Sequence, residues 1–249
     1  MQKVNVCAAD LHVHTALSPC ADDEMTPPGI VDAALAEGLC MIAVCDHNSA
    51  RNAAAVQAAA GERLTVIAGM EITTVEECHV VGLFPDARAA EAAGAEIGAT
   101  LPRIDDAYEA FFGEQRLVDA AGGDAGRETL ALATATPLAV DAVVDLVHRH
   151  GGIAVAAHID RASFGVIGQL GLFPVDAGFD AVELSRHVPP GSEREAEFAV
   201  HGLPVLHSSD AHYRSDVGAV RTAIRCRQPD FRELLLAVHG LEGRGIGDA

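Results

Sequence analysis

The chain has 249 residues, 49% of them hydrophobic, and a formal charge of −19 with no Trp and only 4% aromatics. That length and apolar content fit one α/β domain, residues 1–249, packed from Ala, Val, Leu and Ile rather than from aromatic rings. So acidic a surface repels polyanions, which argues against duplex nucleic acid and anionic membranes as partners, and no apolar run approaches the ~18 residues of a membrane span.

Val4 to Leu11 reads as a strand, and it ends in His12-Val-His14-Thr. Thr26-Pro27 supplies an N-cap and first-turn proline for a helix that Gly38 stops. Leu39 to Cys45 is an apolar run suited to a buried parallel strand, and Asp46-His47 follows it. Residues 50–60 are Ala-rich and helical in pattern. Leu64 to Ala68 is the next strand, closing in Gly-Met-Glu71, and His79 opens another that runs to Phe84. From Pro85 to Thr136 the strand-helix rhythm lapses into an insert with helical pieces at 87–93 and 104–112 and a Gly-rich stretch at 120–126. Long inserts of this kind are lids, interaction surfaces or passive loops.

Regularity resumes at Thr136-Pro137, which predicts a second N-cap and a helix to His150. Strands at 153–157, 181–185, 204–208 and around 222–226 follow, then a closing helix over 230–238. About seven strands alternating with helices predict a parallel α/β barrel. Cys7, Cys20, Cys40, Cys45, Cys78 and Cys226 form no Cys-x-x-Cys pair, so neither a zinc ribbon nor a redox motif is indicated and reduced thiols are expected. Met1 to Val6 has no signal-peptide character, and the expected location is cytoplasmic.

The chemistry concentrates where apolar runs stop. His12 and His14, Asp46 and His47, Glu71, His158, and Asp210 with His212 each follow a short strand-like run; in a barrel they converge at one end. Alternation puts residues i and i+2 on one face, so His12 and His14 point together toward one ion. A second His-x-His, His148 and His150, ends an amphipathic helix before Gly151, where basic side chains favour the macrodipole; it is read as a solvated helix end. A lone buried His is usually a hydrogen-bonded core residue, but six with carboxylates at successive strand ends point to metal. Asp46 is either an orienting partner for an imidazole or a loop acid. His201, His207 and His239 are assigned to structure or surface.

The ordered set Asp-Leu-His12-Val-His14-Thr, Cys-Asp-His47-Asn, Gly-Met-Glu71-Ile-Thr, His79, Ala-His158-Ile-Asp-Arg161 and Ser-Ser-Asp210-Ala-His212-Tyr resembles the PHP family, named for polymerase and histidinol phosphatase. The resemblance implies a distorted (β/α)7 TIM-like barrel, here with an inserted segment at about 85–136, three divalent metal ions (Mn, Fe or Zn) and phosphoesterase chemistry. It implies nine ligands: His12, His14, a third first-loop residue, His47, Glu71 as a bridge, His79, His158, Asp210 and His212. For the third residue Asp22 is preferred, since a hard carboxylate suits Mn or Fe, while Cys20 and Asp23 stay open.

The expected reaction is phosphomonoester hydrolysis by metal-activated water on a small phosphorylated substrate, such as a nucleotide or oligonucleotide end. Arg161 matches the family's Arg and would clamp phosphate with its planar fork; His187, closing another strand, would contact phosphate or protonate the leaving group. Each has an ordinary surface reading too. Two rivals remain: an amidohydrolase-like enzyme acting on C–N or C–O bonds, and a non-catalytic regulatory module. The sequence leaves the oligomeric state open.

Overall fold

The computed structural model describes residues 3–198 and 202–247; His201 lies outside them. In chain order the wall begins with β1 (Asn5–Val13), α1 (Pro27–Ala36), β2 (Met41–Val44), α2 (Ala53–Ala60), β3 (Thr65–Thr73) and β4 (His79–Phe84). The insert follows, with α3 (Ala87–Gly98), α4 (Asp106–Phe112) and a small hairpin of β5 (Arg116–Val118) and β6 (Asp124–Arg127). Then come α5 (Val140–Arg149), β7 (Ile153–Ala156), α6 (Val166–Leu170), β8 (Ala181–Leu184), β9 (Val205–His207), β10 (Thr222–Cys226), α7 (Phe231–Val238) and β11 (Gly245–Ile246).

The strands form one sheet in the order β11-β10-β1-β2-β3-β4-β7-β8-β9. It curls until the loop after β9 meets the end of β1: Val13 pairs with Ala211, and the His14 N–H donates to the Ala211 carbonyl at 3.0 Å. The result is a nearly closed, distorted TIM-like barrel. Alternation then sorts the side chains. Cys7, Ala9 and Leu11 of β1, Met41 and Ala43 of β2, Ile67 of β3, Val81 and Leu83 of β4, and Ile153 and Val155 of β7 fill the barrel interior. Their neighbours Ile42, Val44, Val66, Ala68, Val80 and Ala154 pack outward against the helices. Gly69 takes an interior place because the barrel is narrow there: a Cβ would lie 2.8 Å from the Gly82 carbonyl oxygen and 2.9 Å from Cys45 Sγ.

β1 breaks this rhythm once. Its pairing with β2 shifts register between Asp10 and Val13, and Val13 joins the outer layer although Leu11 lies inside. The extra residue turns His12 and His14 inward and Asp10 away, where it accepts from Ser209 N–H (3.0 Å) and Gly218 N–H (2.8 Å).

Several expectations change. The wall is not wholly parallel: β4 runs antiparallel to β3 and to β7, and β10 antiparallel to β1. Thr136 does not cap a helix; its hydroxyl donates to the Thr73 carbonyl at 2.8 Å, and α5 starts at Val140 with Ala139 in the cap position. Thr26 and Pro27 do open α1, with the Thr26 side chain accepting from Gly29 N–H. Cys7 and Cys40 are joined in a disulfide, so the expectation of reduced thiols fails for this pair, while Cys20, Cys45, Cys78 and Cys226 are free. No helix among the described residues is long and apolar enough to cross a membrane.

Candidate metal centre

The parallel strands end on one rim, and their last interior positions carry His12 (β1), Glu71 (β3) and Glu183 (β8), with His14, His47, His158 and Asp210 just beyond strand ends. β4 explains His79, which opens a strand: because β4 runs downward from this rim, its first residue sits where the other strands finish.

Glu71, 1% exposed, is the hub. Its Oε1 lies 2.7 Å from His79 Nδ1 and 3.0 Å from His158 Nε2. Its Oε2 lies 3.1 Å from His47 Nδ1 and 3.4 Å from both His12 Nε2 and His14 Nε2. Asp210 faces the same two rings, with Oδ1 3.0 Å from His14 Nε2 and 3.5 Å from His12 Nε2. His212 stacks on His14 at 4.1 Å between ring centroids. Three overlapping groups of potential ligand atoms result: His14, His47 and His212; His12, His14, Glu71 and Asp210; and His47, Glu71 and His79.

Outer partners decide which nitrogen each ring presents. His12 Nδ1 donates to Glu183, 3.1 Å from each oxygen, so Nε2 faces the cluster. His14 Nδ1 donates to Ser18 Oγ at 2.9 Å, and that hydroxyl donates to Asp46 at 2.7 Å. Asp46 also accepts from the Thr15 N–H and hydroxyl, both 2.7 Å away, so it shapes the first loop and orients His14 through Ser18. His212 Nδ1 donates to the Asp210 carbonyl at 2.9 Å, again leaving Nε2. Glu183 was not among the sequence candidates; its signal was a single carboxylate inside the apolar run 181–184.

Charge runs strongly through this pocket. Burial opposes ionisation of Glu71, yet His79, His12 and His47 hold its carboxyl well below the usual carboxylate range. Asp210 is likewise depressed by His12 and His14 against the effect of burial. Burial alone would lower His12 and His14, but Glu183, Glu71 and Asp210 raise His12 well above an ordinary imidazole, and Asp210 with Glu71 raises His14 to about 9. Burial and the neighbouring His14 push His212 down to about 4, and burial holds His47 well below its normal value.

These atoms fit divalent cations. His12 Nε2 and His14 Nε2 are only 3.2 Å apart, facing two buried carboxylates. His47 Nδ1 is buried and, although 3.1 Å from Glu71 Oε2, makes no hydrogen bond of proper geometry among the described residues. Neutral imidazole and carboxylate are the donor set that Zn, Mn and Fe accept. The backbone holds left-handed φ at three non-glycine rim positions, Asn48 (50°), His158 (28°) and Asp210 (51°), and such strain gathers at functional sites.

Asp22 stands apart from the three groups; its Oδ1 accepts from Glu24 N–H at 2.8 Å. The neighbouring candidate Asp23 is exposed and ion-paired with Arg116 at 3.2 Å. Cys20 is close enough for the charges of Glu71 and Asp210 to help burial push its thiol up to about 12. Arg161 Nη1 donates to Asp210 Oδ2 at 2.6 Å with a third of the side chain exposed. His187 is exposed on the loop after β8, its N–H donating to Ser185 Oγ at 3.2 Å. Asp160, another residue whose role the sequence did not reveal, ties the two loops by accepting from Ser185 N–H (2.8 Å) and Oγ (2.7 Å). His148 and His150 lie at the end of α5, paired with Asp180 (2.8 Å) and Glu96 (2.7 Å).

A family model described as the PHP domain matches residues 10–169, and one described as PHP-associated matches residues 193–240. No curated protein matches the chain. Among solved structures, the lesion-specific endonuclease Q of Pyrococcus furiosus superposes with a TM-score of 0.75 at 17% identity, covering 97% of this chain and 58% of that one. An endonuclease Q bound to a 27-mer duplex with an abasic lesion at its active site gives 0.74 at 16%, with coverage of 97% and 58%. The chain therefore spans little more than half the length of these relatives. A Bifidobacterium adolescentis protein described as a metal-dependent phosphoesterase gives 0.61 at 21%, covering 92% and 96%. A Chromobacterium violaceum amidohydrolase with bound sulfate gives 0.59 at 24%, covering 84% and 89%. At these identities the likeness establishes the fold. It also corrects one expectation: the exclusion of duplex nucleic acid on grounds of net charge does not stand, since an endonuclease Q that shares this fold binds a duplex.

Proposed function

Because the chain belongs to the PHP domain family, and so reads as a metal-dependent hydrolase, we propose that it hydrolyses a phosphate ester of a small substrate, such as a nucleotide or an oligonucleotide end. The observation that supports this most is the division of Glu71: one carboxylate oxygen faces His79 and His158, the other His12, His14 and His47. A carboxylate shared in this way suits adjacent cation sites. We assign three divalent ions, Mn, Fe or Zn, to His12, His14, His47, Glu71, His79, His158, Asp210 and His212. Asp22, whose Oδ1 accepts from Glu24 N–H, keeps its second oxygen for a ligand and stays the proposed residue of the first loop.

Such ions supply Lewis acidity, lowering the pKa of water and neutralising phosphoryl oxygens. The chain's own residues do the rest. Arg161, anchored on Asp210 through Nη1 and a third exposed, would use the rest of its planar fork to hold a phosphate. Glu183, Ser18 and Asp46 lock the imidazoles, so the site meets its substrate already arranged. His187, exposed on the loop that Asp160 ties through Ser185, would contact the substrate or protonate its leaving group.

The test is to strip the protein with a chelator, reload it with Mn, Fe or Zn, and measure phosphate release from phosphomonoesters, nucleotides and oligonucleotide ends. Lactones, amides and an abasic-site duplex run alongside. Metal-dependent phosphate release supports the proposal. Hydrolysis of amides or lactones with every phosphate ester inert would replace it with the C–N or C–O reading, and a loaded protein inert on all of them would end it.

A further inference from the structure

No helix connects β9 to β10; a single 3-10 turn, Arg214–Asp216, lies between them. Where β1, β9 and β10 turn their outward side chains to solvent, a cleft of about 1040 Å³ remains, bounded by the end of α7 and by β11. Its apolar surface comes from Val6, Val205, Val238 and Ile246.

Its polar side is unlike the rest of the molecule. In a chain with 36 acidic and 17 basic residues, the lining holds Arg221, Arg225 and Arg244 against one carboxylate, Glu195. Two of these arginines are engaged: Arg221 with Glu37 at 3.1 Å and Arg244 with Glu233 at 2.8 Å. Arg225 is not. Its Nη1 is buried with no hydrogen-bond partner among the described residues. The guanidinium rests over Gly245, where a Cβ would collide with Nη2, so the bare glycine makes its seat. Beside it on the lining, His207 is only 6% exposed; Nε2 lies 3.3 Å from Glu195, and Nδ1 is buried without a partner. A buried guanidinium donor and a buried imidazole nitrogen left unpaired in one cleft are unsatisfied until something fills it.

We propose that this cleft is a second binding site, separate from the metal centre, for a small organic anion that carries a hydroxyl. Its carboxylate or phosphate pairs with Arg225 and its carbon skeleton lies on Val6, Val205 and Val238. With Nε2 turned to Glu195, His207 leaves Nδ1 to the cleft, and a hydroxyl, which can both donate and accept, is the group that pairs with it. The cleft's free groups are a cation and one imidazole, so it is not another metal site.

The test uses the full chain stripped of metal, so that ions cannot hold the probe, with butyrate, 3-hydroxybutyrate and glycerol 3-phosphate in calorimetric titrations. The two acids differ only in the hydroxyl, and the phosphate ester separates the two kinds of head group. The expected result is millimolar binding of at least one hydroxylated probe, weakened about tenfold in Arg225→Gln, as for loss of one charge-assisted pair. Gly245→Ala, which crowds the guanidinium without removing it, weakens binding too, and Arg161→Gln leaves it unchanged. In His207→Phe the preference of 3-hydroxybutyrate over butyrate disappears. Absence of binding for all three probes, binding indifferent to Arg225→Gln, or binding lost in Arg161→Gln instead would overturn the proposal.

Discussion

The chain carries two His-x-His pairs, and their surroundings have little in common. His12 and His14 end a barrel strand, are fully buried, and face Glu71 and Asp210 with the nitrogen that Glu183 and Ser18 leave free. His148 and His150 end an outer helix and reach sideways to single carboxylates at the surface. The same three-residue pattern therefore takes its meaning from the element it terminates. On the strand, alternation points both rings at one place; on the helix, the macrodipole and Gly151 account for them without a ligand.

Four measurements would break or sharpen this contrast. His14→Ala and Asp210→Ala should each lose bound metal, read by elemental analysis, and lose hydrolytic rate by about a hundredfold or more, since they remove proposed direct ligands. Retained metal and rate in both would erase the distinction. Glu183→Gln should fall next, weakening metal affinity about tenfold to a hundredfold, the usual cost of an outer partner, with the fold intact. Ser18→Ala should cost less, about tenfold, because Asp46 still holds the loop through Thr15. His148→Ala should change neither metal content nor rate, and a drop in either would make the helix-end pair part of the site.

The helix end also offers a small pH effect of known sign. The His150 hydrogen bond, with Arg149 nearby, holds the Glu96 carboxyl below its ordinary value. A depressed carboxylate adds stability above its unfolded pKa and loses it as pH falls through the folded one. The margin of wild type over Glu96→Gln in thermal melts should thus be present at neutral pH and vanish in acid, and being exposed it should be slight.

Much of the candidate cluster's membership could be read before the structure, because strand-end histidines after apolar runs leave few alternatives. His47, Glu71, His158, Asp210 and His212 were legible for that reason. His79 was legible only as a residue; its position made sense once β4 proved antiparallel, since pairing direction is set by tertiary neighbours and leaves no local mark. Glu183 escaped because a single acid in a short apolar strand carries no sign of which side chain it will meet. Thr136-Pro137 misled because its hydroxyl found the Thr73 carbonyl, a contact across the fold that outweighed local capping. Asp22 rests on counting and on ligand hardness, which say nothing about the Asx-type turn in which its Oδ1 accepts from Glu24 N–H, so its place beside the cluster stays a proposal.

The irregularity in β1 has a bearing on how this protein can vary. Between Asp10 and Val13 the pleat gains one step, so what fixes the aim of the two imidazoles is the number of residues in that stretch more than their identity. Exchanging Leu11 for another aliphatic of its size should be absorbed by the interior, whereas an added residue there would swing both rings out of phase with the other strands. Library designs and homologue alignments should accordingly treat 10–13 as a segment of fixed length, permissive in composition and intolerant of indels.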